Sequence, residues 1–294
     1  MKLATAAYPL DALSNWRDYA AKIEDWVARA RADGADLAVF PEYAAMELAA
    51  LAGPDVAGDL EASLRAVSDR IADADALHSE LAGKYKIHIL AGSAPVYDAA
   101  ISDRPVNRAR LFTPTGGCGV QDKQIMTRFE REPMQMAPGG GLQLFDTSLG
   151  KIAILICYDC EFPLLGRAVS EADLILAPSC TEALSGYWRV RIGAMARALE
   201  NQCVTVMSSL VRPAPWNEVA DANTGMGGIF GPPDTGFPQT GVLAEGSLNQ
   251  PGWTMAQVDL AAIAHVRADG RVLNRTHWAE QSGRDTVVTA TRLR

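Results

Sequence analysis

Histidine and long apolar runs are both scarce in this sequence. Only His78, His88, His265 and His277 occur in 294 residues. Structural zinc sites need paired cysteines or histidines at short spacing, and the solitary cysteines have no histidine near them, so no metal is expected. No stretch reaches the roughly twenty apolar residues of a spanning helix. The apolar opening ends at Leu10 without a cleavage region, so the expectation is a soluble, cytoplasmic chain with no membrane partner. Runs of Lys and Arg are missing too, and the formal net charge is -8, which removes the basic field that nucleic-acid binding uses. Five cysteines, at 118, 157, 160, 180 and 203, are odd in number and unevenly spaced, which argues against a disulfide framework.

What is present is core material. Apolar residues make up 48% of the chain and charged residues 21%, so a disordered or fibrous chain is excluded, and the length suits one large α/β body. Trp16, Tyr19, Ile23, Trp26 and Val27 recur at three and four residue steps, which predicts a helix over 14–33 with one buried side. It lies between the apolar strands LATAAYPL and ADLAVFPE. A helix over 61–82 leads to the strand IHILAGSAPV, and NRARLFTP with GVQDKQIM reads as a strand pair around TPTGG. GLQLFDTSL, KIAILICYD, ADLILAPS and CVTVMSSL are further strands, and Trp188, Ile192, Met195 and Leu199 mark a helix before the last. Such apolar runs, separated by amphipathic helices, predict strands covered on both faces. Residues 211–240 are rich in Pro, Gly, Asn and Asp and read as loops, with GVLAEG and TMAQVDL as a late strand pair.

Several strands end in reactive groups. Glu42 follows AVFP, Lys123 lies in GVQDKQIM, and Cys157 follows AILI. Loops at the carboxyl ends of strands converge on the site of an α/β protein. A thiolate attacks carbonyl carbon, a carboxylate moves the proton, and a lysine with a backbone N-H after the cysteine stabilises the oxyanion. That set suits attack on an amide. Cys157 and Cys160 also form a CxxC, which invites a dithiol redox reading, although such pairs ordinarily open a helix near the start of a short chain.

Taken together, the motifs resemble the nitrilase superfamily of carbon-nitrogen hydrolases. AVFPEY at 38–43 is similar to its glutamate motif, Lys123 to its lysine, and ICYDCEFP at 156–163 to its cysteine motif. ARALENQ at 196–202 and IFGPPDTG at 229–236 resemble later signatures, in family order. The resemblance implies an α-β-β-α sandwich, two sheets flanked by helices, stacking further when the protein forms a homodimer or higher homo-oligomer. Its domain covers 1–275, with a C-terminal arm at 276–294. The resemblance assigns Glu42 as general base, Lys123 as electrostatic stabiliser and Cys157 as nucleophile, with the Tyr158 N-H and Lys123 forming the oxyanion hole. A second glutamate follows the lysine; FERE offers Glu130 and Glu132, and the reading leans to Glu132.

Tyr158-Asp159 stands where true nitrilases carry Trp-Glu, and Leu164 and Gln124 also depart from common family choices. The pattern is closer to the amidase and carbamoylase branches. The implied reaction opens a small amide or ureido substrate, with water and no cofactor, through a thioester. A nitrilase, or a non-catalytic binding protein on the same fold, are the alternatives. Tyr43, Cys180, Thr181, Trp188 and Arg191 are candidate substrate-binding residues. Arg191 offers a fork for a carboxylate but can equally form a structural ion pair. Cys160 is expected to pack under the following helix, and Asp159 to orient or cap.

Overall fold

The structure, a computed structural model, describes residues 1–284 and 288–293. The strands β1 (Lys2–Pro9), β2 (Leu37–Val39) and β3 (His88–Val96) run parallel. β4 (Val106–Phe112) and β5 (Cys118–Asp122) follow antiparallel. On the other side of β1 come β9 (Val204–Val211), β8 (Leu174–Ser179) and β7 (Gly150–Ile154), all parallel, and then β6 (Phe145–Thr147) antiparallel to β7.

These strands form an α/β sandwich whose β layers are joined. The two separate sheets expected from the resemblance are corrected here: among the described residues hydrogen bonding links the strands into one 12-stranded mixed sheet, whose main path runs β5-β4-β3-β2-β1-β9-β8-β7-β6 with three later strands attached at β9 and β1. β1 causes this. Its residues Leu3, Ala4 and Thr5 pair with β2, whereas Ala7, Tyr8 and Pro9 pair with β9, so one strand serves both halves.

Alternation along β1 sets the layers. Ala4, Ala6 and Tyr8 belong to a core with Tyr19, Ile23 and Trp26 of the helix Trp16–Ala32 and Leu64 and Val67 of the helix Leu60–Tyr85. Leu3, Leu37, Val39 and Leu90 join a second core with Ile152, Ile154, Leu174 and Leu176 and with Val190, Ala194 and Ala198 of the helix Leu184–Asn201. Side-chain caps set where the first two helices begin: Asn15 accepts the Asp18 N-H and Asp59 accepts the Ala62 N-H.

The late strand pair does not form. β11 (Val242–Glu245) pairs with β10 (Gly228–Phe230), and β12 (Gly252–Gln257) pairs with β1. Both strands are where the sequence reading placed them, but a local pattern carries no information on partners so distant in sequence. The C-terminal arm expected over 276–294 starts as helical turns through Gln281; its residues 285–287 and 294 lie outside the described residues. Among the described residues no helix is long and apolar enough to cross a membrane.

Candidate active site

Two backbone turns in the left-handed region open the site. Tyr43, directly after Glu42, has φ 59°, and Cys157 has φ 48°, a conformation that costs a non-glycine residue free energy and clusters at functional sites. Gly92 makes the first turn possible: its φ is 82°, and a Cβ there would stand 2.1 Å from the Pro41 carbonyl oxygen. The β3 register shifts between Leu90 and Ser93, and Ser93 Oγ accepts the Tyr43 N-H at 3.2 Å. Cys157 starts a 3-10 turn, Cys157–Glu161, beyond β7. Gly193 lets the helix Leu184–Asn201 meet this turn, because a Cβ there would lie 2.7 Å from the Cys160 carbonyl oxygen.

The strand ends bring three titratable groups together around a lysine that is only 1% exposed. Lys123 Nζ donates to Glu42 Oε1 at 2.8 Å and to Glu130 Oε2 at 2.6 Å. Asn107 Nδ2 bridges the same carboxylates, at 2.9 Å to Glu42 and 3.0 Å to Glu130. The other Glu42 oxygen accepts the Cys180 N-H at 2.9 Å. Tyr43 Oη donates to Glu130 at 2.8 Å. Cys157 Sγ lies 3.7 Å from the Cys180 carbonyl oxygen and interacts with the Glu42 carboxylate.

The charges sort the roles. Burial pushes the Glu42 carboxyl up, with Lys123 opposing and Glu130 adding to the rise. Burial also opposes ionisation of Glu130, but the Lys123 charge and hydrogen bonds outweigh it and hold Glu130 below its ordinary range. Lys123 is desolvated yet kept protonated by Glu130 and Glu42. Burial and the Glu42 charge raise the Cys157 thiol well above its usual range. The arrangement is a neutral thiol beside a carboxylate of increased basicity.

Here the lean towards Glu132 is corrected. Glu132 is exposed and paired with Arg128 at 3.0 Å, while Glu130 reaches Lys123. The reason is local: Thr127 Oγ1 accepts the Glu130 N-H, and Glu130 Oε2 accepts the Thr127 N-H at 2.9 Å, a complete capping box. The signature Thr-x-x-Glu stands in TRFE at 127–130 and would have chosen Glu130. Glu130→Gln is expected to lower turnover by about 10²-fold or more, whereas Glu132→Gln changes stability by less than about 0.5 kcal/mol and leaves kcat near wild type. Equal loss in both, in a steady-state assay, would contradict the assignment. Asn107 was missed altogether, since an asparagine within the strand NRARLF carries no motif.

A cavity of about 370 Å³ opens onto this cluster. Of the candidate pocket residues, Tyr43 and Cys180 line it with Glu42, Lys123 and Glu130; Thr181, Trp188 and Arg191 do not. Arg191 instead pairs with Glu245 at 2.6 Å and donates to Tyr187 Oη at 3.0 Å, the structural ion pair that competed with a substrate role. Trp188 is 46% exposed, and Thr181 Oγ1 donates to the Thr224 carbonyl at 2.7 Å. Within the loop 211–240, residues Glu218, Val219, Asp221 and Ala222 form part of the wall, while Trp216 and Met226 pack against the two cores.

Cys160 is fully buried, with Sγ donating to the Leu155 carbonyl at 3.3 Å. The Tyr158 N-H, in the first turn after Cys157, has no acceptor among the described residues. Asp159 ties the cysteine turn to the lysine loop, accepting the Ile125 N-H at 2.9 Å and the Gln124 N-H at 3.1 Å. Burial raises its carboxyl to about 7, although Lys123 and these hydrogen bonds oppose the rise. The unfolded chain therefore releases this proton at lower pH than the folded one. Its contribution to stability is full below about pH 4 and is lost as pH rises to about 7. Asp159→Asn should flatten that part of the stability profile by a few kcal/mol, read from urea melts at matched pH; an unchanged slope would refute the assignment.

The sequence pattern of the carbon-nitrogen hydrolase family matches residues 3–268. The chain belongs to that family. It is 33% identical over 277 residues to the probable hydrolase YhcX of Bacillus subtilis, covering 92% of this chain and 52% of that protein. It is also 31% identical over 144 residues to the deaminated glutathione amidase of Yersinia enterocolitica, covering 45% of this chain and 50% of the relative. The chain thus spans about half the length of these curated relatives. Its fold is similar to Saccharomyces cerevisiae Nit3, a member of branch 10 of the nitrilase superfamily, with a TM-score of 0.69 at 22% identity, covering 91% and 93% of the two chains. It is also similar to a mutant of the amidase from Nesterenkonia sp. AN1 that shows covalent addition of the acetamide moiety of fluoroacetamide at the active-site cysteine, with a TM-score of 0.65 at 20% identity, covering 98% and 97%.

Proposed function

We propose that the protein hydrolyses the C-N bond of a small amide or N-carbamoyl compound through a thioester on Cys157. The observation that carries this reading is the buried Glu42-Lys123-Glu130 chain of hydrogen bonds beside a thiol on a left-handed turn. Glu42 takes the thiol proton as sulfur bonds to the carbonyl carbon, so no free thiolate accumulates in the buried site. Negative charge develops on oxygen, where the Lys123 ammonium and the Tyr158 N-H stabilise it. Glu42 then passes its proton to nitrogen, the C-N bond breaks, and ammonia or an amine leaves. Water, deprotonated by Glu42, attacks the thioester; the C-S bond breaks and the thiolate regains a proton. Two modest barriers replace one high one. Glu130 and Asn107 are positioning residues that hold Lys123 and Glu42 in register, and Tyr43 does the same through Glu130. The amidase named among the solved relatives and the Tyr158-Asp159 pair after the nucleophile favour an amide over a nitrile. The family resemblance adds a homodimer.

The test is ammonia release across primary amides, ureido acids and nitriles, with intact-mass detection of an acyl adduct. Amide or ureido turnover with an adduct confined to Cys157 is expected. Nitrile turnover well above amide turnover, or an adduct elsewhere, would overturn the reading.

A further inference from the structure

The cavity wall carries more carboxylate than the chemistry uses. Beyond Glu42 and Glu130, the exposed residues Glu182, Glu218 and Asp221 line it, and among the described residues Lys123 is the one cation in the wall. Counting ionised groups, one positive and five negative charges give 1 - 5 = -4. The buried cluster accounts for -1, so the outer wall contributes -3. None of the three outer carboxylates has an ion-pair or side-chain hydrogen-bond partner among the described residues.

Three acidic side chains alone would be an ordinary solvated surface. Two further observations give them a ligand. They share one cavity with Glu42, Lys123 and Glu130, and Phe129, 41% exposed, stands in the same wall. An exposed aromatic ring attracts cations through the quadrupole of its face. Moreover, Arg191, which the sequence offered for a substrate carboxylate, is committed to Glu245 away from the cavity.

We propose that this site selects amides or ureido compounds bearing an ammonium or guanidinium group at the end remote from the reacting carbonyl, and disfavours those bearing a carboxylate there. The inference rests on the hydrolase reading for the orientation of the substrate. The reacting end faces Lys123 and Glu42, and the cationic end stays at the outer wall with Glu182, Glu218, Asp221 and Phe129. An exposed ion pair is weak, but three carboxylates acting on one cation reach about tenfold in affinity. The effect is screened by salt.

Binding to the Cys157→Ala protein separates charge selection from turnover. The probes are 5-aminopentanamide, hexanamide, in which a methyl replaces the ammonium, and 4-carbamoylbutanoate. Calorimetry at low salt should show the cation bound about tenfold tighter than hexanamide, the anion weakest, and the advantage shrinking at high salt. Adding Glu182→Gln, Glu218→Gln and Asp221→Asn together should bring the cation-to-neutral ratio towards one. A ratio within one protein is insensitive to its folded fraction. The inference is overturned if 5-aminopentanamide does not bind, if hexanamide or the anion binds as tightly, or if the triple variant keeps the ratio. Should wild type release no ammonia from any amide while the binding order holds, the hydrolase reading falls and the charge selection stands.

Discussion

Cys157→Ala abolishes hydrolysis, with a loss on the order of 10⁴-fold or more, while Cys160→Ala keeps turnover within a few fold of wild type. Both cysteines lie in KIAILICYDC, and the difference between them is geometric. Cys157 occupies a left-handed turn beside Glu42, the group able to take its proton. Cys160 is sealed under the helix Leu184–Asn201, its thiol directed to Leu155 and burial pushing its ionisation above the usual thiol range. A thiol so placed is a small hydrophobe. Its removal costs packing, not chemistry, and shows as a lower unfolding midpoint with the same kcat per folded molecule. A reductase activity depending equally on both cysteines would defeat this division and restore the dithiol reading.

How much of this was legible depends on whether a residue's role is local. Glu42 and Cys157 could be found because each follows an apolar run, and Lys123 because it follows the strand read in GVQDKQIM; strand ends are where an α/β sheet presents chemistry. Glu130 was also legible, through the capping box in TRFE, a signal that the lean to Glu132 within FERE passed over. Asn107 was not legible. Its function depends on β4 lying antiparallel to β3 and delivering an amide between carboxylates 65 and 23 residues away. The same limit explains β11 and β12, which were identified as strands yet assigned the wrong neighbours. It also explains Arg191, whose partner Glu245 is 54 positions distant. The outer acids belong to this class too: Glu218 and Asp221 sit in a proline-rich loop whose composition says only that it turns, and the fold decides that it turns towards Lys123.

Lys123→Met tests the electrostatic core of the site, and its effects on stability and rate are expected to differ in how they can be repaired. In wild type the ammonium balances Glu42 and Glu130, both almost wholly buried. Methionine fills much of the volume but supplies no charge, leaving two carboxylates joined by the Asn107 amide. An uncompensated buried charge costs about 3–5 kcal/mol. The variant relieves part of this by protonating one carboxyl, so its folded carboxyl pKa rises above the unfolded value. The sign follows: stability is retained in acid and is lost as pH rises through the raised folded pKa. The deficit should therefore be small near pH 5 and several-fold larger near pH 8, measured by urea denaturation. Turnover should fall by about 10²–10³-fold from loss of oxyanion stabilisation alone. Combining Lys123→Met with Glu130→Gln removes the excess carboxylate, so much of the stability should return while activity stays low. That non-additivity is the signature of groups acting as one unit. A Lys123→Met protein as stable at pH 8 as wild type would mean that the buried ion cluster is not what the site is built around.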